Sequence, residues 1–443
     1  MSFPRYPKYK DSGVEWLGEV PEHWTTLKVG RVASIRYGIG EPPQYHDDGT
    51  PLIRATNVHA GKLFNEGMVF VNPEEIPEQR IVWLEVGDIV VVRSGAYTGD
   101  SAIVPDGFGR CIAGFDMVLK SHSARPEFIQ FALLSSYLKN AQIDLQRMRA
   151  AQPHLNAEEL GSCLLVLPTM EEQTRIAEFL DRETGKIDEL VAEQQRLMEL
   201  LKEKRQAVIS HAVTKGLNPR APMKPSGIEW LGDVPAHWHI SPLKWLTDQE
   251  RPIMYGIVLP GPDVENGIPI LKGGNVKPSR MNLQSMARTT PEIEAPYARA
   301  RLKEGDLVYS IRGSIGDCEV VPDELQNANI TQDVARVAVA KGVSTRWVRW
   351  TLLASAIRED LASGSLGAAV RGINIFDLKR ANIPTPPQGE QVAIANHLDT
   401  ETAKLDALAA EAQKAIDLLQ ERRTALISAA VTGQIDVRKL AAA

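Results

Sequence analysis

The chain repeats itself, and this constrains its fold more than any other feature. The segment SGVEWLGEVPEHW at 12–24 returns as SGIEWLGDVPAHW at 226–238, differing only in conservative pairs and at Glu22/Ala236. Further along, Gly87-Asp88-Ile89-Val90 is answered by Gly305-Asp306-Leu307-Val308 after a short insertion, and the copies then stay in register. Leu155-Asn156 matches Ile373-Asn374, Pro168 matches Pro386, Glu172-Gln173 matches Glu390-Gln391, and Lys186 to Leu190 matches Lys404 to Leu408, all at an offset of 218. A duplicated chain of 443 residues is expected to build two like units rather than one large core. The frames agree while Gly38–Trp83 and Gly256–Arg301 have little in common. Matched scaffolds with unlike surfaces imply two related recognition tasks with different targets.

Within each copy the texture changes twice. After the Trp-rich start come short β-branched runs cut by Gly and Pro, such as Asp88-Ile89-Val90-Val91-Val92 and Asp306-Leu307-Val308-Tyr309, which read as strands of a compact mixed domain. Phe128, Phe131, Leu134 and Leu138, like Trp347, Trp350 and Leu353, fall at helical spacing and are read as core packing. From Glu171 and from Gly389 the pattern becomes a long amphipathic helix. Its 4-3 seam is read as Ile176, Leu180, Glu183, Ile187, Leu190, Gln194, Leu197, Leu201, Lys204, Val208 and His211. The second copy gives Ile394, Leu398, Glu401, Leu405, Leu408, Ala412, Ala415, Leu419, Arg422, Leu426 and Ala429. Such a seam predicts a coiled coil, each helix ~60 Å long at 1.5 Å per residue. Symmetry of the copies predicts antiparallel pairing, with Glu183 meeting Arg422 and Lys204 meeting Glu401.

Composition narrows the classes. Hydrophobic residues make up 43% and charged residues 24%, the balance of a globular chain. No stretch reads as a membrane span and the first residues lack the apolar region of a signal peptide, so a cytoplasmic protein is expected. Cys111, Cys163 and Cys318 are too few and too scattered for a disulfide framework or a zinc site, and are expected to be buried. There is no phosphate-cradling Gly-rich loop with Lys, no dinucleotide fingerprint, no nucleophile elbow and no metal-binding His-Glu-x-x-His helix. The carboxylates Asp88, Asp100, Asp306 and Asp317 follow glycines and are read as turn caps rather than nuclease ligands. A binding and assembly subunit is expected, with no catalytic residue, metal or cofactor of its own. The net charge of −6 gives nucleic-acid binding no help from bulk charge.

Reading duplex DNA needs phosphate contacts for register and a few amide or guanidinium groups on base edges. Both copies offer Gly-flanked polar loops of that kind. In the first, Arg54, Thr56 and Asn57 form one loop and Arg93, Ser94, Tyr97 and Thr98 another; in the second, Lys272 and Asn275 and then Arg312 and Ser314 stand at the matching places. Arg147 and Arg149, and Arg371 ahead of Asn374, add basic groups where each domain ends. Asn156 and Asn374 are read as helix caps.

These residues together resemble the specificity subunits of type I restriction-modification enzymes. The segments that carry the resemblance are the GVEWLGEVPEHW start, the run from Leu155 to Gln173, and the run from Ile373-Asn374-Ile375-Phe376-Asp377-Leu378 to Glu390-Gln391. The resemblance implies an α+β protein with two pseudo-two-fold-related mixed α/β target recognition domains separated by a long antiparallel two-helix coiled coil. The implied division is a leading segment over 1–26, recognition domain 1 over 27–157, and a linker with long helix 1 over 158–216. A second leading segment over 217–240, recognition domain 2 over 241–375, and a linker with long helix 2 over 376–443 complete it. It further implies that each domain reads one half of an asymmetric bipartite site in double-stranded DNA and that the coiled coil sets the gap. Two modification (methyltransferase) subunits and restriction (endonuclease/translocase) subunits are implied as partners, with S-adenosylmethionine, ATP and Mg in those partners and none in this chain. The competing expectation is a coiled-coil assembly adaptor without DNA specificity.

Overall fold

The computed structural model describes residues 3–147, 153–363 and 372–440. It contains two compact units, Met1–Gln195 with Gln413–Ala443, and Arg196–Ala412. In the first, Ser101–Ile103, Ile89–Val91, Met117–Ser121 and Ala33–Tyr37 form an antiparallel sheet in that spatial order. A second sheet orders Val69–Val71, Thr50–Ile53, Cys111–Ala113 and Trp83–Leu84, with Thr50–Ile53 and Cys111–Ala113 parallel. The second unit repeats the plan: Met254–Tyr255, Val334–Val337, Leu307–Ser310 and Cys318–Val320 in one sheet, Ala287–Thr289, Ile268–Leu271 and Asn329–Ile330 in the other, again with one parallel pair.

The unbroken apolar run Ile89-Val90-Val91-Val92 suits a strand covered on both faces, because side chains alternate along it. Ile89 and Val91 join the core that holds Trp24, Phe128 and Leu180, while Val90 and Val92 join a second core around Ile53, Val58 and Leu84. Leu307 and Tyr309 face Trp347 and Leu398, and Val308 faces Leu271 and Leu302. The helices Pro126–Leu134 and Thr345–Leu353 lie where the aromatic spacing put them, with Phe128 and Trp347 fully buried.

The long helices run Met170–Lys215 and Gln388–Val431. Within the first unit Glu172 lies 3.7 Å from Arg438, just past the second helix, and Asp188 lies 2.8 Å from Arg423, so rising numbers on one strand of the pair meet falling numbers on the other. The two helices are antiparallel. In the second unit Arg205 meets Asp406 at 2.9 Å, the same ion pair at the 218 offset. Among the described residues the expected pairs Glu183–Arg422 and Lys204–Glu401 do not close to ion-pair distance, although the Lys204 charge helps to lower the Glu401 carboxyl. Glu183 is held instead by Arg182 and Lys186, and Glu401 by Lys404, on their own helices.

The reason is a seam displaced by one residue at every second position. Ile187 and Leu201 are buried as read, but Thr184, Val191, Met198, Arg205 and Ala212 turn inward where Glu183, Leu190, Leu197, Lys204 and His211 were expected. The second helix shifts identically, to Thr402, Ala409, Ile416, Arg423 and Ala430. Thr184 and Thr402 tolerate this because their hydroxyls donate back to Leu180 O and Leu398 O, at 2.7 and 2.6 Å.

The recurring His-Trp and Glu-Gln pairs fix each domain to its helix. His23 contacts the Glu172 carboxylate at 2.9 Å and His237 contacts Glu390 at 2.6 Å. Gln173 donates to Pro168 O and accepts from Arg125 N, and Gln391 does the same with Pro386 O and Ser344 N. Trp24 and Trp238, both fully buried, pack on Gly433 and Gly216, which take positive φ after the helix ends. A Cβ on Gly433 would stand 2.4 Å from Pro21 and 3.1 Å from the Trp24 ring, so no other residue fits there. A serine pair seats each domain on the far end of the partner helix, Ser136 with Ser428 and Ser355 with Ser210, at 2.9 and 3.0 Å.

Candidate nucleic-acid interface

The loops singled out from sequence are brought together within each unit. In the first, Arg54–Asn57 follows the strand Thr50–Ile53, and Arg93–Gly99 follows Ile89–Val91. A cleft of about 180 Å³ is lined by Tyr45, Arg54, Ser94, Phe115 and Asp116, and another of about 360 Å³ by Thr56, His59, Phe64, Glu66 and Tyr97. In the second unit the turn Gly273–Asn275 abuts the Arg312 loop so closely that a Cβ on Gly273 would lie 2.8 Å from Arg312 O.

Within these loops the side chains divide by what they already bond. Asn57 is fully buried: its carbonyl oxygen accepts from Arg54 N at 3.1 Å and its amide donates to Phe64 O and Glu66 O. Asn275 repeats this, accepting from Lys272 N and donating to Ser285 O. Thr98 is fully buried and donates to Gly95 O and Pro153 O. These three hold their loops in shape: Asn57 and Thr98 are buried with their donors used inside the fold, whereas Asn275 is half-buried and keeps a second amide hydrogen. Thr56, Tyr97, Lys272 and Arg312 are exposed, and Ser94 and Ser314 are half-buried. Arg371 and Arg149 lie outside the described residues. Asn156 and Asn374 are helix N-caps as read, accepting from Glu159 N and Phe376 N, both at 2.8 Å.

Arg93 is the most elaborated of the set. Its guanidinium carbon lies over the Tyr37 ring at 4.6 Å and over the Phe115 ring at 4.1 Å. The backbone N–H of Arg93 donates to Asp116 Oδ1 at 3.1 Å. Burial pushes the Asp116 carboxyl up to about 6, against the pull of that N–H and of the Arg93 charge. Arg54 stacks 5.5 Å from Tyr45 and donates to Gly67 O at 2.8 Å. Sequence reasoning missed these aromatic partners. Tyr37, Tyr45, Phe64, Tyr97 and Phe115 are each 43–48% exposed on this one domain, a cluster drawn from distant points in the chain that no periodicity marks.

Hydrogen bonding also adjusts the correspondence between the copies. Leu155 N donates to Arg93 O, and its counterpart Ile373 N donates to Ile311 O, so Arg93 matches the buried Ile311 and Arg312 matches Ser94. The two loops therefore present different chemistry from the same backbone position. Asp88 and Asp306 accept from Glu85 N and Lys303 N across tight turns, as caps do. No group of three or more potential metal ligands occurs among the described residues, and no helix there is long and apolar enough to cross a membrane.

A family model for the type I restriction modification DNA specificity domain matches residues 21–199. The EcoBI specificity subunit of Escherichia coli is 25% identical over 434 residues, covering 96% of this chain and 89% of that protein. Over nearly its whole length the chain is similar to type I specificity subunits. The EcoKI specificity subunit of Escherichia coli K12 is 24% identical over 94% of this chain and 90% of its own length. Among solved structures, a chain described for complex assembly and conformational transition of a type I restriction-modification system superposes with a TM-score of 0.70 at 18% identity, covering 94% of this chain and 99% of that one. The HsdS subunit of Thermoanaerobacter tengcongensis gives 0.50 at 19%, covering 94% and 98%. Both share the specificity-subunit fold: paired mixed domains and two long helices.

Proposed function

We propose that the chain is the DNA-recognition subunit of a type I restriction-modification complex, each mixed domain reading one half of an asymmetric bipartite site. The observation that carries this is the pair of equivalent loops with unlike side chains: Arg93 over Tyr37 and Phe115 in one domain, buried Ile311 followed by exposed Arg312 in the other. Identical readers would make a palindrome, whereas different groups at the same backbone positions make two different half-sites. The contacts in this reading are Arg54, Thr56, Arg93, Ser94 and Tyr97 for one half, and Lys272, Arg312 and Ser314 for the other. The chain acts by recognition and scaffolding. Methyl transfer and cleavage belong to two modification subunits and to restriction subunits, which bring S-adenosylmethionine, ATP and Mg. In this reading the coiled coil sets the gap between the two half-sites.

Co-expression of this chain with its modification subunit, followed by genome-wide mapping of N6-methyladenine by long-read sequencing, tests the reading. A single bipartite motif that appears only with this chain is the expected result. An assembled complex that writes no motif rejects sequence recognition and leaves the adaptor role.

A further inference from the structure

The second domain has a corner that its counterpart lacks. Val29 N donates to Cys163 O at 2.8 Å and Leu243 N donates to Ala381 O at 2.9 Å, which aligns the turn Val29–Arg31 with Leu243–Leu246. The adjoining helices Ala157–Ser162 and Ile375–Arg380 correspond at the 218 offset. In the first domain these elements nearly touch through glycine, for a Cβ on Gly30 would sit 3.2 Å from Gly161 O. The same two positions in the second domain are Lys244 and Lys379. Around them Arg31, Glu158 and Ser162 are replaced by Trp245, Phe376 and Arg380. A corner carrying Arg31 with Glu158 and Glu159 in one domain is thus an aromatic one carrying Lys244, Lys379 and Arg380 with Asp377 in the other.

Among the described residues Lys244 and Arg380 have ring neighbours but no carboxylate partner. Trp245 is 63% and Phe376 59% exposed, a costly display for rings of that size unless a ligand covers them. Lys244 lies 5.1 Å from the Trp245 ring and Arg380 5.3 Å from Phe376. Among the described residues none of Lys244, Lys379 and Arg380 has a carboxylate within 4.0 Å, in a chain whose net charge is −6. The corner also continues the candidate reading face. Ile373 N donates to Ile311 O at 2.8 Å, a Cβ on Gly372 would lie 3.2 Å from Arg312 Cγ, and the helix bearing Phe376 starts two residues later.

We propose that Lys244, Trp245, Phe376, Lys379 and Arg380 form a sequence-independent clamp on the phosphate-sugar backbone of duplex DNA, present in the second domain and absent from the first. The inference rests on the DNA-recognition reading and deepens it. Duplex DNA offers one negative charge per ~1.7 Å, which suits unpaired cations at close spacing. The flat rings beside them suit the apolar faces of sugars. A protein partner fits less well, because lysine is depleted at the buried centre of protein interfaces and here two lysines share the corner with the rings.

The test measures affinity of the assembled methyltransferase against salt, on a duplex carrying the recognised site and on a scrambled one. For K244A/K379A/R380A the expected result is equal fractional weakening on both duplexes, a log–log salt slope shallower by about 2.7, at ~0.9 per lost phosphate contact, and an unchanged methylation motif. K244R/K379R should keep the parental slope, and W245A/F376A should weaken binding with the slope retained. A parental slope in the triple alanine variant overturns the clamp, as does a changed motif, which would make these residues base readers. Loss of the modification subunit with DNA binding by the remaining chain unaltered also overturns it, and makes the corner a protein contact. A parental complex with no preference between the two duplexes, but with the slope still falling in the variant, rejects sequence recognition and keeps the clamp.

Discussion

Asp116 places a carboxylate where the fold disfavours its charge. It is 2% exposed, its carboxyl is pushed up to about 6 by burial, and its carboxylate accepts from Arg93 N. The native state therefore holds the proton more tightly than the unfolded chain, so Asp116 favours folding at acid pH and that advantage is lost as pH rises through about 6. Asp116→Asn keeps an acceptor for Arg93 N without the charge, and is expected to raise the melting temperature at pH 7.5 while giving no gain at pH 4. An equal effect at both pH values would assign the change to packing instead. Arg93→Ala and Arg312→Ala belong to the same scale: each is expected to relax one half-site and leave the other intact, by the ~1–3 kcal/mol of a base contact. Methylation motifs of the two variants decide it. Residue types identified these arginines in the sequence, but the division among their neighbours was not legible there. Asn57 and Thr98 read as polar loop residues, and only the carbonyls of Phe64, Glu66 and Pro153, folded in from elsewhere, show that they are spent.

Secondary elements were legible wherever a local pattern sufficed, as at Ile89–Val91 and Pro126–Leu134. The helical seam was legible in length and direction but not in phase, because Leu190 and Leu197 are as apolar as the Val191 and Met198 that displace them. Glu183 and Lys204 at expected seam positions were the signal for the shift, since charges avoid a buried seam. Leu190 and Leu408, displaced from the seam, and Leu200 and Leu418, never on it, stand outside. Leu190 and Leu200 are 46% and 53% exposed, and their counterparts Leu408 and Leu418 are 54% and 62% exposed. An apolar patch repeated at the offset of the duplication suits a partner bound twice, as two modification subunits would be. Leu190→Glu with Leu418→Glu is expected to weaken capture of one modification subunit at least tenfold while changing the chain's own stability by no more than ~0.5 kcal/mol. Size-exclusion chromatography with light scattering should then report a complex with one modification subunit in place of two. Two bound subunits at parental affinity would remove the leucines from the docking surface.

At the scale of the whole molecule, one ion pair occurs twice, Asp188 with Arg423 and Asp406 with Arg205. Each lies within its own unit and ties the helices in the same antiparallel register. A heptad added to one helix alone would leave only one of the two pairs in register, so a fair test of the spacer lengthens both. Insertions after Gln195 and after Ala412 fall between the two ion pairs on each helix and keep the inward face, since seven residues span two turns. Each adds ~10.5 Å at 1.5 Å per residue. That is about three base-pair steps at 3.4 Å. If the helices set the gap, the double insertion is expected to yield a methylation motif with the same two half-sites and a gap longer by one to three base pairs. Motif mapping of the assembled complex reads this directly. An unchanged gap with both half-sites retained would mean that DNA distortion or the partner subunits, rather than the helices, fix the spacing. Loss of one half-site alone would mean that the insertion turned that reader off the groove, and the retained half-site would then identify which domain reads it.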